Sequence, residues 1–202
     1  MLTARDALDR LREGNARFVS RLNEPAPVEL RRTQLPDIQE PFAIVLGCSD
    51  ARVPAEIVFD QGLGDLFVIR VAGNIVAPSQ VGSVEFAAAR FGTRLVVVLG
   101  HSGCGAILAT IEELKQPGET QSRNLRSIVD RVRPSVQGLF ATELANDHDA
   151  LVDAAVRANI RTSVDHLRHG SAVLEQLIND DGLIVVGAEY SLASGVVEFF
   201  ET

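Results

Sequence analysis

Val45-Leu46-Gly47-Cys48-Ser49-Asp50-Ala51-Arg52 is an apolar run that stops abruptly at a thiol, a carboxylate and a guanidinium. Further along, Leu95-Val96-Val97-Val98-Leu99-Gly100-His101-Ser102-Gly103-Cys104-Gly105 repeats the pattern, ending at an imidazole and a thiol. Short continuous apolar runs of this kind read as strands buried on both faces, and open parallel sheets place ligand sites at the carboxyl ends of such strands. With the two strands as neighbours, Cys48, Asp50, His101 and Cys104 converge.

Two thiolates and an imidazole are the ligands that a borderline-soft, tetrahedral Zn²⁺ prefers, and Asp50 offers a fourth, oxygen ligand. Each fragment alone is short enough to arise by chance, and a cysteine closing a strand is usually a small buried hydrophobe. The conjunction carries the reading. The only two cysteines of the chain both sit at strand ends, each with a second candidate ligand within three residues. A Cys48–Cys104 disulfide is the competing explanation. It needs an oxidising compartment and leaves the placement of Asp50, Arg52 and His101 without a reason.

At 202 residues, 46% hydrophobic and 23% charged, the chain suits one α/β domain spanning 1–202, large enough to bury a substantial core. A formal net charge of -8 argues against nucleic acid or an anionic membrane as the main partner. The cluster Arg123, Arg126, Arg131 and Arg133, interrupted by Asp130, reads as a solvated helix face. No apolar run approaches the ~20 residues that span a bilayer, and the start Met1-Leu2-Thr3-Ala4-Arg5-Asp6 is not that of a signal peptide. Two reduced cysteines then imply a cytoplasmic protein.

Thr3 as N-cap, with Ala4, Leu8, Leu11, Asn15 and Phe18 along one side, predicts an amphipathic N-terminal helical arm over 1–22. Its stripe packs either on a second subunit or on its own sheet. Four prolines make 23–41 an extended connector. Strand 42–47, a short helix from Pro54, strand 66–71, a helix capped by Ser79, and strand 95–99 follow. Helices from Ala106 to Lys115, from Asn124 to Leu144 with a break at Pro134, from Asp147 to His169 and from Gly170 to Leu177 come next. Strand 183–186, a turn at Ala193-Ser194-Gly195 and an edge strand 196–200 close the chain. The order predicts an α/β fold: a mostly parallel central sheet with an antiparallel C-terminal edge strand and helices on both faces.

Cys48-Ser49-Asp50-Ala51-Arg52-Val53-Pro54, then Phe67-Val68-Ile69-Arg70-Val71-Ala72-Gly73-Asn74, then Gly100-His101-Ser102-Gly103-Cys104-Gly105 resemble the successive signatures of the β-class carbonic anhydrases. The similarity runs in order from about Leu2 to about Glu198. It implies a carbonate dehydratase, a zinc lyase that interconverts carbon dioxide and bicarbonate through zinc-bound hydroxide. The implied Zn²⁺ ligands are Cys48, His101 and Cys104, with Asp50 added only in a closed form. The resemblance also implies a catalytic dyad of Asp50 and Arg52: Asp50 on zinc closes the site, whereas Asp50 on Arg52 frees a position for water. A homodimer is implied, packed through the N-terminal helix, with pairing of dimers into a tetramer left open.

For the substrate pocket the resemblance implies Gln39, Phe67, Phe86 and the backbone N–H of Gly105. Phe86 stands where plant-type members carry Tyr, Ala72 replaces a larger aliphatic residue, and Ala51 stands where many members have Ser. Members regulated by bicarbonate use a Trp, an Arg and a Tyr beside the active site. Arg70 matches the Arg, but Val45 holds the Trp position and the chain has no Trp. Tyr190 is its only Tyr. Bicarbonate is therefore not expected to drive Asp50 onto zinc. Two other functions share the same residues: a zinc hydrolase acting on another small heteroallene such as carbon disulfide, and a non-catalytic zinc or redox-sensing domain. A purely structural zinc closed by Asp50 is the corresponding bland form.

Overall fold

Segments rich in Val, Ile and Leu form the strands, as β-branched side chains favour: β1 Ala43–Gly47, β2 Leu66–Arg70, β3 Leu95–His101, β4 Ile184–Tyr190 and β5 Val197–Phe199. They come from a computed structural model that describes residues 2–22, 38–116 and 122–200. The strands lie in the order β2-β1-β3-β4-β5. The first four are parallel and β5 runs antiparallel to β4. The helices are α1 Ala4–Ser20, α2 Ala55–Val58, α3 Pro78–Arg90, α4 Gly105–Lys115, α5 Arg123–Val136, α6 His148–His169 and α7 Ala172–Asp180. This is the expected α/β architecture, antiparallel edge included. Most of the connector expected over 23–41 lies outside the described residues.

Alternation along the strands sorts the two faces of the sheet. Ala43, Val45, Leu95, Val97 and Leu99 pack with Ala4, Ala7 and Leu11 of α1 and with Val58 of α2. Ile44, Leu46, Cys48, Val96 and Val98 pack on the other side against residues of α3, α4, α5, α6 and α7. The chain leaves β1 toward β2 on one side and β3 toward β4 on the other, so β1 and β3 flank the switch point where an open sheet forms its ligand crevice.

Helix α6 lies close against the sheet because two strand positions lack a side chain. A Cβ on Gly100 would stand 2.6 Å from Ile160 Cδ1, and one on Gly187 would stand 2.8 Å from Ile160 Cγ2. Ile160 is fully buried there.

Helix α1 lies on its own sheet, one of the two seats expected for its stripe, with Ala4, Ala7 and Leu11 buried there and Leu8 and Phe18 partly buried. Polar contacts fix the seat. Asn15 donates to Val58 O at 3.1 Å and Gly195 O at 2.9 Å, and its Oδ1 accepts from Val197 N–H at 2.8 Å. Gly14 permits this seat, since a Cβ there would fall 1.9 Å from Phe59 O.

Smaller departures have equally plain causes. Ala77, not Ser79, is the N-cap of α3, because Pro78 takes the first helical position, where a missing N–H costs nothing. The helix expected to reach Leu144 ends as an α-helix at Val136, just past Pro134, and continues as 3₁₀ turns over Gln137–Ala141 and Glu143–Asn146. Proline removes a donor and crowds the carbonyl four residues back. Helix α7 runs three residues beyond Leu177. β4 continues past Val186 through Gly187 to Tyr190, because every one of its residues has a partner on β3.

Gly100→Ala should therefore destabilise the chain by about 1–3 kcal/mol through overpacking against Ile160, read from urea unfolding. Ile160→Ala alone should also cost stability, but the double variant should cost less than the sum of the two. Strict additivity would mean that the Gly100–Ile160 approach is not what constrains α6.

Candidate metal centre and active site

β1 and β3 pair in register, with Gly47 level with Leu99. That pairing sets Cys48, the residue after β1, beside His101, the last residue of β3, and the turn through Gly103 at φ 63° brings Cys104 back over both. Cys104 caps the first turn of α4. Its sulfur thus sits at the positive end of the helix dipole, which favours a thiolate.

The donor atoms of Cys48, His101 and Cys104 all lie within 4.8 Å of one another, and all three residues are buried. The two sulfurs are 3.9 Å apart and both cysteines are free. Two thiolates on one tetrahedral zinc, at about 2.3 Å each, stand ~3.8 Å apart. His101 Nδ1 lies 3.0 Å from the Ser102 carbonyl and donates to it, while Nε2 is buried without a partner. A backbone carbonyl that fixes the tautomer in this way leaves the other nitrogen as a lone-pair donor, the arrangement found behind metal-binding histidines.

Electrostatics point the same way. The hydrogen bond with Cys104 draws Cys48 down to about 4 despite its burial, and His101 with the backbone of Gly73 and Asp50 helps. The same bond pushes Cys104 up, and burial adds to it. Burial pulls His101 down, but the Cys48 thiolate outweighs it and the imidazole is raised overall. A dication among the three donors satisfies both sulfurs and the orphaned nitrogen at once. The donor set fits Zn²⁺.

Asp50 is turned to Arg52. Arg52 Nε donates to Oδ1 at 2.9 Å, Nη2 to Oδ2 at 2.7 Å, and the Arg52 backbone N–H to Oδ1 at 2.9 Å. This two-pronged grip holds the Asp50 carboxyl far below the usual carboxylate range. Oδ2 nevertheless stays 3.9 Å from His101 Nε2, so the carboxylate borders the donor cluster without joining it. Arg70, at the end of β2, donates through Nε to Cys48 O at 3.1 Å and through Nη2 to Asp50 O at 2.5 Å. Its guanidinium is committed to the turn that carries both residues. Tyr190 is buried beside Phe18 of α1, with the ring centres 6.4 Å apart.

The remaining pocket residues are spread out. Gly105 opens α4 beside Cys104, as expected. Phe67 lies level with Ile44, four residues ahead of Cys48 on the neighbouring strand, which is roughly 13 Å at ~3.3 Å per residue. It packs with Phe86 and Phe91, with centroids 6.3 and 6.1 Å away. Phe86 is 54% exposed, and Gln39 is exposed as well. Within one chain this aromatic cluster does not line the Cys48 site.

Sequence reasoning passed over Asn159 and Ser163. Asn159 Nδ2 donates to Gly73 O at 2.8 Å and Ser163 Oγ to Asn74 O at 3.1 Å, under the metal-ligand turn. The available signal was a polar pair at i and i+4 inside the apolar stripe Val152, Val156, Ile160 and Val164.

The family model described as "Carbonic anhydrase" matches residues 43–197. The carbonic anhydrase of Mycolicibacterium smegmatis is 40% identical over 190 residues, 93% of this chain and 89% of that protein. The solved β-carbonic anhydrase CcaA superposes with a TM-score of 0.73 at 26% identity, covering 97% of this chain and 85% of its own. A tetrameric β-carbonic anhydrase of Sordaria macrospora shares the fold with a TM-score of 0.73 at 24% identity, over 82% of this chain and 83% of its own. By its fold and by these likenesses, the chain belongs to the carbonic anhydrase family, in the β class, and is a carbonate dehydratase.

Proposed function

We propose that the chain hydrates carbon dioxide reversibly, CO₂ + H₂O ⇌ HCO₃⁻ + H⁺, at one Zn²⁺ held by Cys48, His101 and Cys104, with the Asp50–Arg52 pair orienting the reacting water. The observation that carries this reading is the placement of Asp50: gripped by Arg52 on both oxygens, yet 3.9 Å from His101 Nε2. When bound, zinc lowers the pKa of water toward neutrality.

The rest of the work falls to the side chains. Arg52 keeps Asp50 ionised at neutral and mildly acidic pH, so Oδ2 accepts a hydrogen bond from water and does not take its proton away. The orientation exposes a lone pair of the water oxygen to the carbon of CO₂, and the released proton leaves to solvent. The Gly105 N–H, at the positive end of α4, is placed to hold a bicarbonate oxygen. A structural zinc closed by Asp50 would need the carboxylate to abandon Arg52, which argues for the open, catalytic form.

Gln39, Phe67 and Phe86 complete the apolar pocket only across a subunit boundary. β2 is an outer strand of the sheet, and Phe86 presents an exposed ring beside it. An open edge next to apolar surface invites a second copy, and the Sordaria macrospora relatives are tetrameric. The interface we propose runs along β2 and α3 and makes a homodimer. No helix among the described residues is long and apolar enough to cross a membrane, and free thiols at the site suit the reducing cytoplasm.

Cys48→Ala or Cys104→Ala should lose the metal, because one thiolate and one imidazole are too few strong ligands. Zinc near full occupancy in either variant by elemental analysis would count against the site. Arg52→Ala should retain zinc while hydration falls by at least about a hundredfold, a loss of ~2.7 kcal/mol of transition-state stabilisation, because Asp50 then turns to the metal. Wild-type turnover at neutral pH in a stopped-flow assay would rule out the dyad. Phe86→Glu should convert a dimer into a less active monomer by light scattering, and an unchanged, fully active dimer would remove the β2 edge from the interface.

A further inference from the structure

Between β2 and α3 the chain makes a tight turn through Gly73 and Asn74, both in the left-handed region at φ 70° and 42°. Only glycine fits at Gly73, where a Cβ would also stand 2.9 Å from Ala106 Cβ. The turn aims the Gly73 N–H at Cys48 Sγ, 3.4 Å away. Its two carbonyls point the other way, into α6, where Asn159 Nδ2 meets Gly73 O at 2.8 Å and Ser163 Oγ meets Asn74 O at 3.1 Å. Asn159 and Ser163 are 2% and 4% exposed. They flank Ile160, the residue that the bare positions Gly100 and Gly187 admit to the sheet.

We infer that Asn159 is a positioning residue for the metal: it holds the Gly73–Asn74 turn in its left-handed form so that the Gly73 N–H hydrogen-bonds the Cys48 thiolate, with Ser163 in support. The inference rests on the zinc reading above and deepens it.

The physical reasoning has two parts. Asparagine enters the left-handed region more readily than other side chains, and Asn74 N–H closes the turn on Val71 O at 3.1 Å. The bonds from α6 to Gly73 O and Asn74 O fix how that turn sits against the sheet. A thiolate that accepts an N–H bond also gives less electron density to its metal. Asn159 therefore acts on the metal site through one residue, donating to the carbonyl of the same Gly73 whose N–H meets the Cys48 sulfur. With zinc held by these residues, thiolate donation would blunt the acidity it confers on water, and this hydrogen bond would recover part of it.

The test uses the full chain loaded with Co²⁺, with ¹¹³Cd²⁺ or with Zn²⁺. In wild type with ¹¹³Cd²⁺, the Gly73 amide proton should show scalar coupling to the metal through the hydrogen bond, and its absence overturns the inference. In Asn159→Ala, the thiolate-to-cobalt charge-transfer band should move to lower energy, and Zn²⁺ affinity, read by competition with a chelator, should fall about 10- to 100-fold as the turn beside Cys48 loosens. Asn159→Asp, equal in size but without the donor, should shift the band in the same direction. Ser163→Ala should shift it less. A band and a Zn²⁺ affinity identical to wild type in the folded Asn159 variants overturn the inference. Should both fail to fold, the cadmium coupling in the wild-type chain decides alone. A wild-type chain that takes up none of these ions overturns the metal site itself, and the positioning with it.

Discussion

Pairing of β1 with β3, Ile44 opposite Val96 through Gly47 opposite Leu99, is the constraint on which everything at the site depends. It joins two segments far apart in sequence and ends both at the same level. Because the chain departs from β1 and β3 in opposite directions across the sheet, the loops after them diverge and leave room between. Parallel strands buried on both faces hold this register firmly. A slip of one residue would turn Ile44, Leu46 and Cys48 from the α6 face to the α1 face.

Helix α6 is the second constraint, and it acts through glycine. Gly100 and Gly187 leave the sheet bare under Ile160, and the close approach that results brings Asn159 and Ser163 within reach of the Gly73–Asn74 turn. The same contact that packs the core thereby fixes polar groups around Cys48. Burial of these amide and hydroxyl groups is tolerated because each finds a carbonyl. Packing and metal-site geometry are one problem here.

The strands were legible because long runs such as Leu95-Val96-Val97-Val98-Leu99 leave few alternatives, and the antiparallel edge was legible from the glycine turn before it. Cys48, His101 and Cys104 stood out because they interrupt those runs. Asn159 did not, since a polar residue in a helix reads as a solvated face until the tertiary approach of that helix is known. The seat of α1 was open for a related reason. An amphipathic stripe announces that it will be covered but not by what, and the decision lay in Gly14 and in Asn15, whose partners are as distant in sequence as Gly195 and Val197. Phe67 and Phe86 belong to the pocket by resemblance alone, through the family positions they match. Their register along β2 carries them away from Cys48 in the same subunit.

Two guanidinium groups govern the turn after β1, and they do so at different atoms. Arg70 holds the backbone carbonyls of Cys48 and Asp50, which sets where the turn lies; Arg52 holds the Asp50 carboxylate, which sets where the side chain points. An anion approaching Arg70 would have to compete with both carbonyls, and Val45, buried in β1, offers no aromatic cover for it. Such an anion could move Asp50 only by binding better to a displaced turn than to this one. The displaced turn would give up the Arg70 bonds to Cys48 and Asp50, and it would carry the Cys48 sulfur away from the Gly73 N–H. The carboxylate itself is guarded separately, since the bonds from Arg52 hold its pKa far below the usual carboxylate range. Turn and side chain are thus held at separate atoms, the first by Arg70 through backbone oxygens and the second by Arg52 through the carboxylate, so an anion at Arg70 would strain the backbone of the turn before it touched the bonds that orient Asp50.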